Sequence, residues 1–553
     1  MSTLINISLF LFPLAAYWYV HRLIRAGSNT ISCLPGPNGG HWLWGHELEA
    51  HQTPYEGAYT RWMHLYGLTY KIKGALFHPD ILVIGDQVAL RDILGKDTYS
   101  YVKSPIIRAL IERVIGRGLA WAEGDVHKRQ RHELAPFFTA KAIRNMFNTV
   151  STCTNIGIEN LESHIINNAS DPKQGLTVDI MESTESMTLD ITGRFVLDYD
   201  FESGKGPLAN FIKQTWKKQC SVNLHWTAVL GQVIIRALPF IAHLPIPALK
   251  AQLAVKKVLR DVSQAVVSQN VNEGQDKDLL TAMGKLWPLS IRFITPQTSV
   301  YALKVRLSNK GQIQGGQNEL YDQVSTIAFT SQDTTAGTLT FGLHQLAIHP
   351  RYQSRLRDEI VQLGREPTYD DLMSGMPWLD AITMEIFRLR PVGAHMERVA
   401  AQDTILRFGD PVQTSHGAKI SEIAIKAGQT IIIPITAMNH LKSVWGDDAE
   451  ELDPERWFSP ARLKHVDRKF GWNGMLTFSD GPRHCIGYRM AVLIFKTALA
   501  AYIRKFEFHD TGAVIHARYV GTLQPYIANE EEKGTQMPLR VTLVNDLGDD
   551  KAY

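Results

Sequence analysis

The four cysteines of this chain, Cys33, Cys153, Cys220 and Cys485, share no paired spacing, so neither a disulfide framework nor a zinc site is indicated. A reducing compartment fits, and a functional cysteine has to act alone. Cys485 has the surroundings for it. In Phe478-Ser479-Asp480-Gly481-Pro482-Arg483-His484-Cys485-Ile486-Gly487, Gly481 and Pro482 force a tight turn. The apolar run Met490 to Leu499 then predicts a helix beginning just after the cysteine. A sulfur at a helix N-terminus meets the positive end of the macrodipole and free backbone N–H groups, which favour the thiolate, the form that ligates metal. Gly487 leaves room for a flat cofactor against the backbone, Phe478 can wall the sulfur off from water, and Arg483 can meet an acidic group. A buried structural thiol is the plainer alternative for a cysteine in a glycine-containing turn.

Three further constellations carry polar chemistry. Glu385 and Arg388, spaced i,i+3 beside the apolar stripe Leu379, Ile382, Ile386 and Leu389, can pair on one helix face, although such pairs are usually surface salt bridges worth little. The middle of a long helical pattern from Gln323 to Ile348 is polar and small: Thr330-Ser331-Gln332-Asp333-Thr334-Thr335-Ala336-Gly337. Those side chains compete for backbone groups, so a local widening or bend is expected, and a threonine-rich solvent face is the alternative. From Trp121 to Arg131 a basic helix sets His127 and Arg131 at i,i+4, with Lys128 and Arg129 beside them; a plain solvated helix would look the same.

The cysteine segment resembles the haem-binding loop of the cytochrome P450 family, Phe-x-x-Gly-x-Arg-x-Cys-x-Gly, at every fixed position. Glu385 and Arg388 resemble its Glu-x-x-Arg, and Asp453-Pro454-Glu455-Arg456-Trp457-Phe458 its Pro-Glu-Arg-Phe stretch, with Trp457 replacing the usual Phe. The run around Asp333 is similar to the oxygen-activation motif, with Thr330 and Ser331 at its two small positions, and the basic helix to Trp-x-x-x-Arg, with His127 at the Trp position. The resemblance implies haem b with Cys485 as axial ligand, a thiolate that favours O–O cleavage. It implies that His127, Arg131, Arg398 and Arg483 contact the haem propionates, while Phe478 and Gly487 shape the loop. Asp333 and Thr334 become the acid–alcohol pair that relays protons to bound dioxygen. Glu385, Arg388 and Arg456 become a buried network supporting the cysteine loop. Lys128 and Arg129 become candidates for docking an acidic electron donor.

The implied reaction puts one oxygen atom from dioxygen into a lipophilic small molecule, with electrons from NADPH through a separate NADPH–cytochrome P450 reductase, since no flavin- or nicotinamide-binding region is evident. Tailoring of a specialised metabolite such as a terpenoid is the preferred reading, because the sequence, especially Asp125 to Phe138, resembles fungal members. Xenobiotic detoxification is an alternative. A haem-thiolate isomerase or dehydratase, which often lacks the acid–alcohol pair, and a non-catalytic haem sensor are less favoured.

The elements that must position these residues read as a mainly α fold with a minor β-sheet region, as in the P450 fold. Helical patterns cover Ile143 to Leu161, Leu208 to Gln219, Ala248 to Gln269, Gln323 to Ile348 and Leu379 to Leu389. Strand-like runs lie at Leu68 to Lys73, Ile81 to Ile84, Thr430 to Pro434 and Leu539 to Val544. Segments around Lys103 to Gly118, Phe211 to Leu244, Val392 to His395 and Gly521 to Pro525 are expected to shape the substrate pocket. With Lys+Arg 58 against Asp+Glu 55, the net charge of +3 is not that of a nucleic-acid binder. Leu4 to Val20 carries no charge and is followed by His21, Arg22 and Arg25, so residues 1–26 read as an N-terminal transmembrane helix. A cleaved signal peptide lacks support because no basic stretch precedes the apolar run. Residues 27–40 then form a proline- and glycine-rich hinge and 41–553 one haem-thiolate domain. The basic flank puts that domain on the cytosolic side, which suits a single-pass protein of the endoplasmic reticulum membrane and leaves Asn168-Ala169-Ser170 unglycosylated.

Overall fold

The computed structural model describes residues 30–53, 57–76, 78–171, 174–197, 199–224, 226–237, 256–261, 264 and 316–544. The expected membrane segment at 1–26 lies outside them, as do most of the expected helix over 248–269 and part of the pocket segment ending at Leu244. Among the described residues no helix is long and apolar enough to cross a membrane.

Helices dominate. Those that build the site are α1 (Gly124–Leu134), α2 (Ile180–Thr192), α3 (Pro207–Leu224), α4 (Gly316–Ile348), α5 (Pro377–Leu389) and α6 (Tyr488–Lys505). α4 packs on α2, α5 and α6, and the helix Phe147–Asn168 closes the bundle against α2 and α6. Apolar spacing dictates this. Leu493, Ile494, Phe495, Leu499 and Ile503 of α6 are all 1% exposed or less, and each buried side chain of this kind contributes roughly 1.5–3 kcal/mol. At Gly342 a Cβ would lie 3.2 Å from Ile386 and from Phe495, so α4 approaches both neighbours across a residue without a side chain. The predicted helix from Ile143 is in fact two, Ala140–Asn145 and Phe147–Asn168, the first capped by the Thr139 hydroxyl on the Ala142 N–H.

The strands form a second, smaller core. Thr69–Ile72, Ile81–Ile84, Thr430–Ile433, Met396–Ala400 and Tyr101–Val102 make a five-stranded sheet in that order. Its one parallel pairing sets Leu82 against Ile431. The expected strands are all present. Unforeseen are the pair Thr404–Gln413 with Lys419–Ile425, whose outward positions are mostly polar, Ile405 being an exception, and whose register breaks between Arg407 and Val412, and the hairpin Ile515–Tyr519 with Leu523–Ile527. The proline-rich segment packs onto the first strand: Ile31 and Leu34 are buried, and the Lys71 N–H donates to the Pro35 carbonyl at 2.9 Å.

Candidate cofactor-binding and active site

The loop before α6 folds as the glycine and proline dictate. Ser479 and Gly481 take left-handed backbone angles (φ 62° and 64°), and a Cβ on Gly481 would sit 2.1 Å from the Leu94 carbonyl oxygen, so only glycine fits. The Asp480 carboxylate takes the Gly481 N–H at 2.7 Å, and the Cys485 N–H returns to the Phe478 carbonyl at 2.8 Å. α6 begins at Tyr488, just past the cysteine. Phe478 is buried among Phe387, Trp472 and Tyr488, with ring centroids 5.3, 5.0 and 6.0 Å away. A Cβ on Gly487 would touch only Phe138, at 3.8 Å, which leaves the space expected above the backbone there.

Cys485 keeps an accessible surface although protein surrounds it, so its sulfur faces an interior space. Burial pushes the thiol above its ordinary pKa, and this outweighs the Gly487 N–H and the Arg131 charge, both of which pull it down. The polypeptide alone therefore does not favour the thiolate; a bound metal cation does, because ligation releases the proton.

Cations gather beside the sulfur. His127 is buried, and its Nδ1 lies 3.0 Å from the Tyr99 hydroxyl. Arg398 is buried and donates to the Glu397 carbonyl at 2.8 Å, while Arg483 donates to the Tyr101 carbonyl at 2.7 Å and to Glu123. Glu123 also takes the Lys103 N–H at 2.9 Å and the Lys103 ammonium at 3.2 Å. Desolvation, then mutual repulsion, holds His127 down to about 4, Lys103 to about 8 and Arg398 to about 10. Lys103 and Arg483 thus share the Glu123 carboxylate, Arg398 feels Glu123 and Glu397, Arg131 acts on the Cys485 sulfur, and the Nε of Arg483 is buried without a partner. Buried charge demands a counter-charge, so a thiol opening on an interior space beside this excess fits a flat metal-bearing cofactor with anionic arms. Lys103, at the start of a segment expected to shape the pocket, and Glu123, inside the segment read as the basic helix, are site residues that the sequence did not single out.

The supporting network is where it was expected, and it is buried rather than a surface salt bridge. Glu385, Arg388 and Arg456 are 0% exposed. Glu385 takes Arg388 at 2.7 and 2.9 Å, Arg456 at 3.4 Å, the Asp453 N–H at 3.1 Å and the Trp457 indole N–H at 2.9 Å. Trp457, the departure from the usual Phe, therefore adds a donor. Arg388 also donates to the Asn439 carbonyl at 2.9 Å, and Asn439 reaches Thr477 and the Leu476 N–H at 3.0 and 3.2 Å. The network ends one residue before Phe478.

In α4, Ser331, Asp333, Thr335 and Thr338 are buried, which removes the solvent-face reading. The Ser331 and Thr192 hydroxyls meet at 3.1 Å, and those of Thr184 and Thr340 at 2.7 Å, tying α4 to α2. The expected widening does not interrupt the helix, which runs α-helical throughout, with the Thr330, Thr334 and Thr338 hydroxyls each donating to a carbonyl four residues back. Asp333 and Thr334 are not hydrogen-bonded to each other. Asp333 instead accepts from the Trp216 indole of α3 and the Thr522 hydroxyl of the C-terminal hairpin, both at 2.6 Å, and from Gln524 at 3.4 Å. Burial raises its pKa against those three bonds. Trp216, Thr522 and Gln524 lie in segments expected to shape the pocket, but nothing in the sequence paired them with Asp333, since only folding brings three distant segments together.

On the outer face of α1, Lys128 is exposed and pairs with Asp125 at 2.8 Å. Arg129 does not serve as a free docking cation. It forks onto Glu319 of α4 at 2.8 and 2.9 Å and reaches Glu133 at 3.3 Å.

Comparison with known proteins agrees with this site. The family model described as Cytochrome P450 matches residues 34–518. Cytochrome P450 monooxygenase claU of Ampulloclitocybe clavipes is 29% identical over 555 residues, 98% of this chain and 98% of that protein. Cytochrome P450 monooxygenase 128 of Postia placenta is 28% identical over 541 residues, covering 95% of each.

Proposed function

Since the chain belongs to the cytochrome P450 family and is an oxidoreductase of its monooxygenase kind, we propose that it hydroxylates or epoxidises a lipophilic small molecule, with Cys485 as the axial ligand of haem b. The observation that carries the reading is the inward-facing thiol of Cys485, which feels the Arg131 charge, near the buried Arg398 and the part-buried Lys103 and Arg483, cations that outnumber the carboxylates Glu123 and Glu397. The family implies a haem held by a cysteine thiolate, dioxygen, a redox partner and a small-molecule substrate. When bound, the haem supplies dioxygen activation and oxygen transfer.

The chain's own residues do the rest. Arg131, Arg398, Arg483 and Lys103 would neutralise the propionates and the uncharged His127 would hydrogen-bond one of them, while Phe478 with its aromatic neighbours keeps water from the sulfur. Glu385, Arg388 and Arg456 hold the loop in register. Asp333, whose carboxyl is biased toward the protonated form, is the proton store of α4, and the Thr334 hydroxyl is the nearest alcohol in sequence. Electrons come from NADPH through a membrane-bound NADPH–cytochrome P450 reductase. The protein sits in the endoplasmic reticulum membrane by a single N-terminal span, its catalytic body in the cytosol; the uncharged run Leu4 to Val20 and its basic flank support this. The fungal origin of the relatives supports tailoring of a specialised metabolite such as a terpenoid.

The test is the ferrous carbon monoxide difference spectrum of the purified protein. A thiolate-type Soret band that Cys485→Ala abolishes is expected; a variant that binds carbon monoxide with an unchanged spectrum sinks the assignment. Reductase-supported NADPH consumption with a panel of lipophilic compounds then separates turnover from mere haem binding.

A further inference from the structure

Next to the cation cluster lies a group of polar side chains that the propionates do not use. His395 sits between two tyrosines, its ring centroid 4.4 Å from that of Tyr519 and 5.8 Å from that of Tyr59. Glu397, two residues on, is hydrogen-bonded by the Ser104 side chain. All four side chains keep accessible surface although protein closes round them, so they face an interior space, as the Cys485 sulfur does. His395 ends one segment expected to shape the substrate pocket, and Tyr519 lies on the hairpin strand just before another; the two segments meet where the Leu523 N–H donates to the Val392 carbonyl at 2.8 Å. Among the described residues neither the imidazole nor either phenol hydroxyl has a hydrogen-bond partner, and each can both donate and accept.

Resting on the monooxygenase reading above, we propose that His395, Tyr519 and Tyr59 form a polar subsite that binds an uncharged oxygen function, a hydroxyl or a carbonyl, on an otherwise apolar substrate. The charges argue for neutrality. Burial holds His395 down to about 4 and pushes Tyr519 up to about 12, so both are uncharged at neutral pH. An anionic ligand would face Glu397 and Glu47, and a cationic one Arg398 and Arg236; the Glu47–Arg236 ion pair at 2.5 Å leaves neither of its members free to serve as counter-ion. A hydrocarbon would strip water from three polar groups and return no bond. The substrate is therefore supplied by a reaction that installs or retains an oxygen, an earlier oxygenation or an oxygen-retaining cyclisation, and the enzyme acts after that step.

The test uses the haem-loaded full chain and N-alkylimidazoles from hexyl to dodecyl, each with and without a terminal hydroxyl, read by the Soret shift of nitrogen ligation. The azole anchors one end at the iron, so the tail alone samples the pocket. At the chain length that reaches the subsite, the hydroxylated compound binds about tenfold more tightly than its plain partner, as expected for one net hydrogen bond. Tyr519→Phe and His395→Phe each erase that preference while the plain series keeps its affinity, which shows that the variants fold and hold haem. Equal or weaker binding of the hydroxylated compound at every length overturns the proposal and leaves the monooxygenase reading standing. No Soret shift with any azole brings down both.

Discussion

Replacing Trp457 with Phe, the residue usual in the family at that position, is expected to destabilise this protein. The indole N–H lies 2.9 Å from Glu385, a carboxylate with no exposure to solvent. Phenylalanine keeps the ring and removes the donor, so one oxygen of a buried charge loses a bond that water cannot replace. A hydrogen bond to a charged group contributes about 1.5–3 kcal/mol. Trp457 itself is only half-buried, which argues for the lower half of that range, and the smaller ring forfeits some packing against Trp445, whose centroid is 5.7 Å away. The sum is about 2 kcal/mol, roughly a 30-fold shift in the folded-to-unfolded ratio. Urea unfolding of the haem-loaded protein, followed in the Soret band and the far ultraviolet, measures it as a lower midpoint at unchanged slope. A Phe variant as stable as the parent would refute the reasoning, and would mean that Arg388 and Arg456 satisfy Glu385 by themselves.

Other expectations follow from the same geometry. Arg129→Ala lowers the unfolding free energy by about 1–2 kcal/mol because it strands Glu319, whereas Lys128→Ala leaves the midpoint unchanged; equal effects in denaturant melts would contradict the assignment of Arg129 as a tie between α1 and α4. Asp333→Ala leaves the Trp216 and Thr522 donors unbonded, so stability falls by about 2 kcal/mol and less product forms per NADPH consumed; unchanged coupling would remove Asp333 from proton handling. In the haem-free protein His127 has a folded pKa of about 4, below its ordinary 6.5. Its neutral form is the one the fold accepts, so its contribution is complete above the ordinary value and is lost as pH falls toward 4. His127→Gln should flatten that part of the stability profile, and a variant that declines as steeply as the parent would show that other groups govern it.

What was legible in the sequence divides along physical lines. The cysteine loop and the Glu385–Arg388 pair were visible because local spacing and fixed turn residues specify them, and resemblance supplied Arg456. The long helices were visible because an apolar period of 3.6 persists over many residues, although the break at Met146 was not, since one cap outweighed a continuing stripe. The strands Thr404–Gln413 and Lys419–Ile425 were missed because their outward side chains are polar and one carries Pro411. Lys103, Trp216 and Thr522 were unreadable as partners because each meets its counterpart only through long-range packing. The thiolate ligand follows from the family; in the polypeptide by itself burial pushes the Cys485 thiol up, against the Gly487 N–H and the Arg131 charge.

The chain of bonds from Arg388 through Asn439 to Leu476 and Thr477 uses polypeptide groups alone. The support of the ligating loop is thus a property of the polypeptide itself, which holds that loop in register through groups that make no bond to the prosthetic group.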